Sequence, residues 1–137
     1  MGKQDHIKLF RYCDHYQAQL DKIKRQLINK STLSKRTKSH LHKVPGFVCD
    51  RAFGFAEINP WHIIVPLFST NKSRGKDYFT YYIAHELSHL ADYYHKCEGR
   101  HGKEFYKMFV KICPRNLQYH EWKYKPNQCN KFNIPKK

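Results

Sequence analysis

His85-Glu86-Leu87-Ser88-His89 is an H-E-x-x-H pentapeptide. On an α-helix, residues four apart lie one above the other on the same face. Two neutral imidazoles placed in this way suit a single Zn²⁺ ion. Glu86 follows His85 round the helix, where its carboxylate can reach a water on the metal without ligating the metal itself. That is the constellation for zinc-assisted hydrolysis, with Glu86 as general base.

Zinc then needs a third protein ligand, with the fourth position left to water. Two histidines compete. His95 follows His85 by ten residues, the spacing of H-E-x-x-H-x-x-G-x-x-H, but Asp92 stands where the turning glycine is required. On a continuing helix His95 lies about 80° from the His85 direction and more than two turns away. His101 follows Gly99-Arg100, a natural helix stop, and opens the run His101-Gly102-Lys103-Glu104-Phe105. A second helix returning across the first brings His101 to the metal, so the residues favour His101 over His95.

These side chains need elements to hold them. Asp77 is a candidate N-cap, and Ile83, Leu87, Leu90, Ala91 and Tyr94 fall roughly opposite the two histidines. No Gly or Pro interrupts Lys76 to Glu98. Phe105, Met108, Phe109 and Ile112 recur at i, i+3, i+4, i+7, a second helix that Pro114 ends. Earlier, Ile7, Phe10, Cys13, Tyr16, Leu20, Ile23 and Leu27 predict an amphipathic helix from about Gln4 to Asn29. Ser31 to Ser39 is polar and basic without periodicity, and is expected to be a loop. Pro45-Gly46 and Asn59-Pro60 signal turns. Phe47 to Ala56 has room for one or two short strands. Trp61 to Leu67 is β-rich, with Pro66 marking a strand end or an edge. The tail holds Tyr119, His120, Trp122 and Tyr124, of which a tyrosine or the histidine is a candidate for stabilising an oxyanion.

H-E-L-S-H, a short connection, then H-G-x-x-F with an apolar helix resembles the SprT-like (Spartan-type) metallopeptidases. The resemblance covers roughly residues 45 to 114. It implies His85, His89 and His101 as zinc ligands and Glu86 as the catalytic residue. It implies an α+β, zincin-like domain: an N-terminal helix, a small sheet of about three strands, the active-site helix and a C-terminal helix. It further implies that the strand at Ile63 to Val65 is an edge strand, to which an extended peptide could add. Substrates would be peptide bonds in proteins bound or crosslinked to DNA.

A chain of 137 residues with 40% apolar and 15% aromatic content suits one domain with one core. That core is expected at about residues 4–114, followed by an aromatic and basic tail at 115–137. No run of 18 apolar residues occurs, so neither a membrane span nor a membrane partner is expected. The first residues lack an apolar signal segment, which predicts a cytosolic protein; association with DNA or the nucleoid is compatible with that. Cys13, Cys49, Cys97, Cys113 and Cys129 contain no C-x-x-C, so they read as reduced thiols. No four-cysteine ribbon can form, and one zinc ion per chain is expected.

Net charge is +15, from 26 Lys+Arg against 11 Asp+Glu. Lys22 to Cys49 contains no acid, and neither does the chain after Glu121. A field of this sign attracts polyanions, and lysine and arginine bind phosphates without reading sequence. The expected partners are a protein or peptide substrate and non-specific DNA, held by Lys30, Lys35, Arg36 and Lys38. A monomer is expected. Two other functions fit the same residues. One is a non-catalytic nucleic-acid-binding protein whose zinc only staples two helices. The other is a zinc hydrolase of non-protein amides or esters.

Overall fold

The computed structural model describes residues 13–75 and 77–137. The architecture is α+β, with helices packed around a three-stranded mixed sheet. Helix α1 spans Gln17–Lys30 and buries Leu20, Leu27 and Ile28 on one side. Among the described residues, the predicted run from about Gln4 to Asn29 is not one continuous α-helix. Asp14–Tyr16 form a 3-10 turn, and just before it the N–H of Cys13 donates to the Val48 carbonyl at 2.8 Å. A backbone bonded to a strand cannot also continue the helix. Ile7 and Phe10 of that expectation lie outside the described residues.

The expected loop at 31–39 is corrected. Helix α2 spans Lys35–His42, and Ser34 caps it by accepting from the Thr37 N–H at 3.2 Å. Only Thr37 and Leu41 are buried, so the apolar signal was too thin to show a period. The helix rests on its cap and on tertiary contacts.

Strand β1 (Gly46–Cys49) runs parallel to β3 (Trp61–Pro66), and β2 (Phe55–Ile58) pairs antiparallel on the other side. The order is β1-β3-β2. The implied edge strand is therefore the central one. Ile63, Ile64 and Val65 are all buried, as a strand with neighbours on both sides requires. Pro66 marks the strand's end, where its missing N–H costs the ladder little.

Helix α3 spans Tyr78–His95 and crosses the middle of the molecule, packing on α1, α2, the sheet and the helix that follows. Asp77 stands at its N-cap but makes no side-chain cap bond. Helix α4 (Lys103–Ile112) buries Phe105, Met108, Phe109 and Ile112, the four residues its spacing selects. The chain does not end its ordered packing at Pro114. A 3-10 segment, Arg115–Lys123, and helix α5, Pro126–Lys131, follow. Leu117, Glu121, Cys129 and Ile134 from this stretch are buried. The core thus extends well past residue 114, and the expected tail is part of it.

Gly54, just before β2, fits where a side chain does not. Its N–H donates to Tyr82 Oη at 2.8 Å. A Cβ there would fall against the Ile64 carbonyl oxygen and within 2.7 Å of Tyr82 Cε1. Gly54→Ala is expected to destabilise the fold by about 1–3 kcal/mol through overpacking, measured by urea unfolding.

Candidate metal centre

One turn of α3 separates His85 from His89, so both rings leave the same face. His101 comes from the loop that follows. Asp92 organises that loop. Its carbonyl accepts from the N–H groups of Lys96 and Cys97, which closes the helix. Its carboxylate then accepts from the N–H groups of Glu98, at 3.1 Å, and Gly99, at 2.9 Å. Cys97, Gly99 and Arg100 all take positive φ, and the chain doubles back. The residue standing where the pattern H-E-x-x-H-x-x-G-x-x-H has its glycine is therefore the anchor of a different turn.

The result is a tight cluster. One ligand atom from each of His85, His89 and His101 can lie within 4.8 Å of the others, close enough to hold one metal ion. The Nε2 atoms of His85 and His101 are 3.0 Å apart. Phe105, on α4, packs on all three rings, with centroids 5.0, 4.4 and 4.9 Å from His85, His89 and His101. The aromatic residue of H-G-x-x-F therefore has a direct use: it backs the imidazoles.

Glu121 completes the arrangement from the 3-10 segment. Its buried carboxylate accepts from His85 Nδ1 and from Tyr81 Oη at 2.6 Å through one oxygen. It accepts from Tyr106 Oη at 2.8 Å through the other. With Nδ1–H committed to Glu121, the lone pair of His85 Nε2 faces His101 and the cleft. Burial alone would raise the Glu121 carboxyl, but His85 and the two hydroxyls hold it down at about 2. For His85, burial works downward and is outweighed by Glu121, so its pKa is raised. Burial, reinforced by His85, pushes His89 down to about 2 and His101 down to about 4. Both are thus neutral donors at pH 7. His89 Nδ1 is buried without a hydrogen-bond partner. Three imidazoles, two of them held neutral, are a donor set that fits a borderline divalent ion.

A cleft of about 290 Å³ opens over the cluster. Gly54, Phe55 and Ala56 form one wall, and Tyr82, Glu86 and Tyr93 of α3 form another. Glu86 is 3% exposed, and burial pushes its carboxyl up to about 7, against the pull of His85. A bound dication would act in the opposite sense.

The other expected site residues lie elsewhere. His95 Nε2 is 2.9 Å from Thr37 Oγ1 on α2, away from the cluster. Lys30, Lys35 and Arg36 are exposed on α1 and α2, and Lys38 Nζ donates to the Asn29 carbonyl at 3.2 Å. None of these four cations lines the cleft. Of the tail aromatics, Tyr124 lines it. His120 packs on Tyr78 and Tyr81, and Trp122 Nε1 donates to the Ile134 carbonyl. Tyr119 packs at a tilt against His120. Sequence reasoning missed Glu121, Asp92 and the wall tyrosines Tyr82 and Tyr93. Glu121 stands 36 residues from its partner His85, and no local spacing links them.

Comparison with protein-family models, with curated proteins and with solved structures finds no match.

His101→Ala is expected to abolish metal binding, and His95→Ala to leave it intact, by elemental analysis of the purified variants. Glu121→Gln keeps the shape of the side chain and removes its charge. It should weaken metal affinity by about 10–100-fold in competition with a chelator.

Proposed function

We propose that the protein is a zinc-dependent peptidase of the SprT-like type, built on a zincin-like fold. The supporting observation is the convergence of His85, His89 and His101 on one point, in a cleft that also holds Glu86. Zinc bound there would polarise a scissile carbonyl and lower the pKa of a water toward about 7. His85 and His89 offer nitrogen donors from α3, and His101 offers a third from the returning loop. Among the described residues no carboxylate joins that donor set, which leaves Glu86 for proton transfer. Its carboxylate takes the proton of the attacking water and returns it to the leaving amine. Tyr124, the tail aromatic that lines the cleft, would supply a hydrogen bond to the developing oxyanion. Burial of Glu86 and the aromatic walls limit competing water around the reacting groups.

Proteins on DNA are the substrates that the net charge of +15 favours. Lys30, Lys35, Arg36 and Lys38 supply exposed or half-exposed cations around the α1–α2 connection, outside the cleft. Contacts there hold DNA without reading its sequence.

Glu86→Gln should retain metal and fold and lose about 10²–10⁴ in hydrolysis rate. The assay is cleavage of an unfolded or DNA-bound basic protein. Full activity in the variant rules out the proton-transfer role. A metal-loaded parent that cleaves nothing assigns the metal a structural role. Replacing Lys30, Lys35, Arg36 and Lys38 by Ser should flatten the log–log dependence of DNA affinity on salt by about two to four units, read by fluorescence anisotropy. An unchanged slope would place the DNA contacts elsewhere.

A further inference from the structure

The core-facing side of α1 reads Leu20, Lys24, Leu27, Ile28. Lys24 takes a place in the apolar stripe and is only 7% exposed. Lysine is almost never buried this far unless something compensates its charge. Here Nζ donates one long bond, 3.5 Å, to the His42 carbonyl oxygen. Among the described residues no carboxylate forms an ion pair with it. An ammonium has three protons to donate, and protein atoms accept one of them. Burial lowers its pKa, and Asp21, one turn earlier, acts in the opposite direction.

Lys24 lines a cavity of about 250 Å³ where α1 meets the end of α2 and the turn into β1. Asp21, Arg25, His42 and Lys43 also line it. Three cations stand there against one carboxylate. That carboxylate is engaged by Gln17 Nε2 at 3.1 Å, an amide also tied to the Gly46 carbonyl. His42 adds no charge to repel a cation or hold an anion. Burial and the nearby Lys24, Arg25 and Lys38 lower its pKa, and its Nε2 is 2.8 Å from Asn29 Oδ1. The cavity shares no lining residue with the metal cleft.

A fold that buries a charge without pairing it bears a cost that an anion would offset. We propose that this cavity is a phosphate-binding site, in which Lys24 Nζ donates to a phosphate oxygen and Arg25 and Lys43 neutralise the rest of its charge. Three cations less one carboxylate leave a net charge of +2, which matches inorganic phosphate or a phosphate monoester at about −1.5 to −2 and more than covers the single charge of a phosphodiester. Arginine and lysine donors are the usual partners of phosphate oxygens. The phosphate belongs either to a nucleic-acid backbone or to a small phosphorylated molecule. The inference is independent of zinc and of Glu86.

The test is binding of inorganic phosphate to the whole chain by calorimetry, with chloride at matched ionic strength as control. The parent should bind phosphate saturably and be protected by it against thermal unfolding. Lys24→Met suits the apolar stripe and should fold at least as stably, with unchanged zinc content. Its phosphate affinity should fall about tenfold or more. A mixed-sequence single-stranded oligonucleotide that competes with phosphate in the parent, and binds Lys24→Met more weakly at fixed salt, assigns the nucleic-acid backbone. Phosphate binding that the oligonucleotide does not disturb assigns a small phosphorylated ligand. Equal protection by chloride, or parent-like phosphate affinity in Lys24→Met, would overturn the site. Should that variant not fold, parent-like affinity in the Arg25→Ser, Lys43→Ser double variant overturns it equally.

Discussion

The Glu121 carboxylate is fully buried, and its charge must be satisfied by protein groups alone. Stripping water from a carboxylate costs several kcal/mol unless hydrogen bonds and an opposite charge replace it. Tyr81 and His85 on α3, and Tyr106 on α4, supply that replacement. One side chain thereby ties two helices to the C-terminal segment and fixes which nitrogen of His85 faces the cleft. The helices must keep their present spacing for all three donors to reach it. Removing any donor would leave the carboxylate under-satisfied in a dry place, which is why the tail belongs to the core.

A second constraint is the reversal of chain direction between α3 and α4. Two histidines four apart define a face but not a site. The site needs a third donor at the right height, and Asp92 provides it indirectly. By binding the backbone N–H groups of residues 96–99 with its carbonyl and carboxylate, it stops α3 and turns the chain. His101 then returns to the level of His85, and Phe105 settles against all three rings. Polar satisfaction at a helix end thus produces a functional geometry about two turns away.

The local features were legible where the period was strong. The α3 and α4 stripes, the paired histidines and the turn at Asn59-Pro60 all rest on neighbours in sequence. Helix α2 was hidden because Thr37 and Leu41 are its only buried residues. The central position of β3 was in fact written in Ile63-Ile64-Val65, an unbroken apolar run typical of a strand covered on both faces. Pro66 and the family resemblance pointed instead to an edge, although a proline at the last position fits either place. Glu121 and Asp92 act over distances no periodicity encodes, through bonds that exist only once the helices have packed. Lys24 is the reverse case: its place in the α1 stripe was visible, but an amphipathic reading passes over one cation among leucines and isoleucines.

The proposed function requires His85, His89 and His101 to hold one zinc ion with a position left open. A crystal structure of the zinc-loaded protein tests it most directly. One ion is expected, with three imidazole nitrogens at about 2.0–2.1 Å and a single water or hydroxide completing the tetrahedron. His85 Nδ1 should still donate to Glu121, and Glu86 should lie outside the coordination sphere. Zinc bound by Glu86 or by a cysteine in the fourth position, or bound without His101, would contradict it.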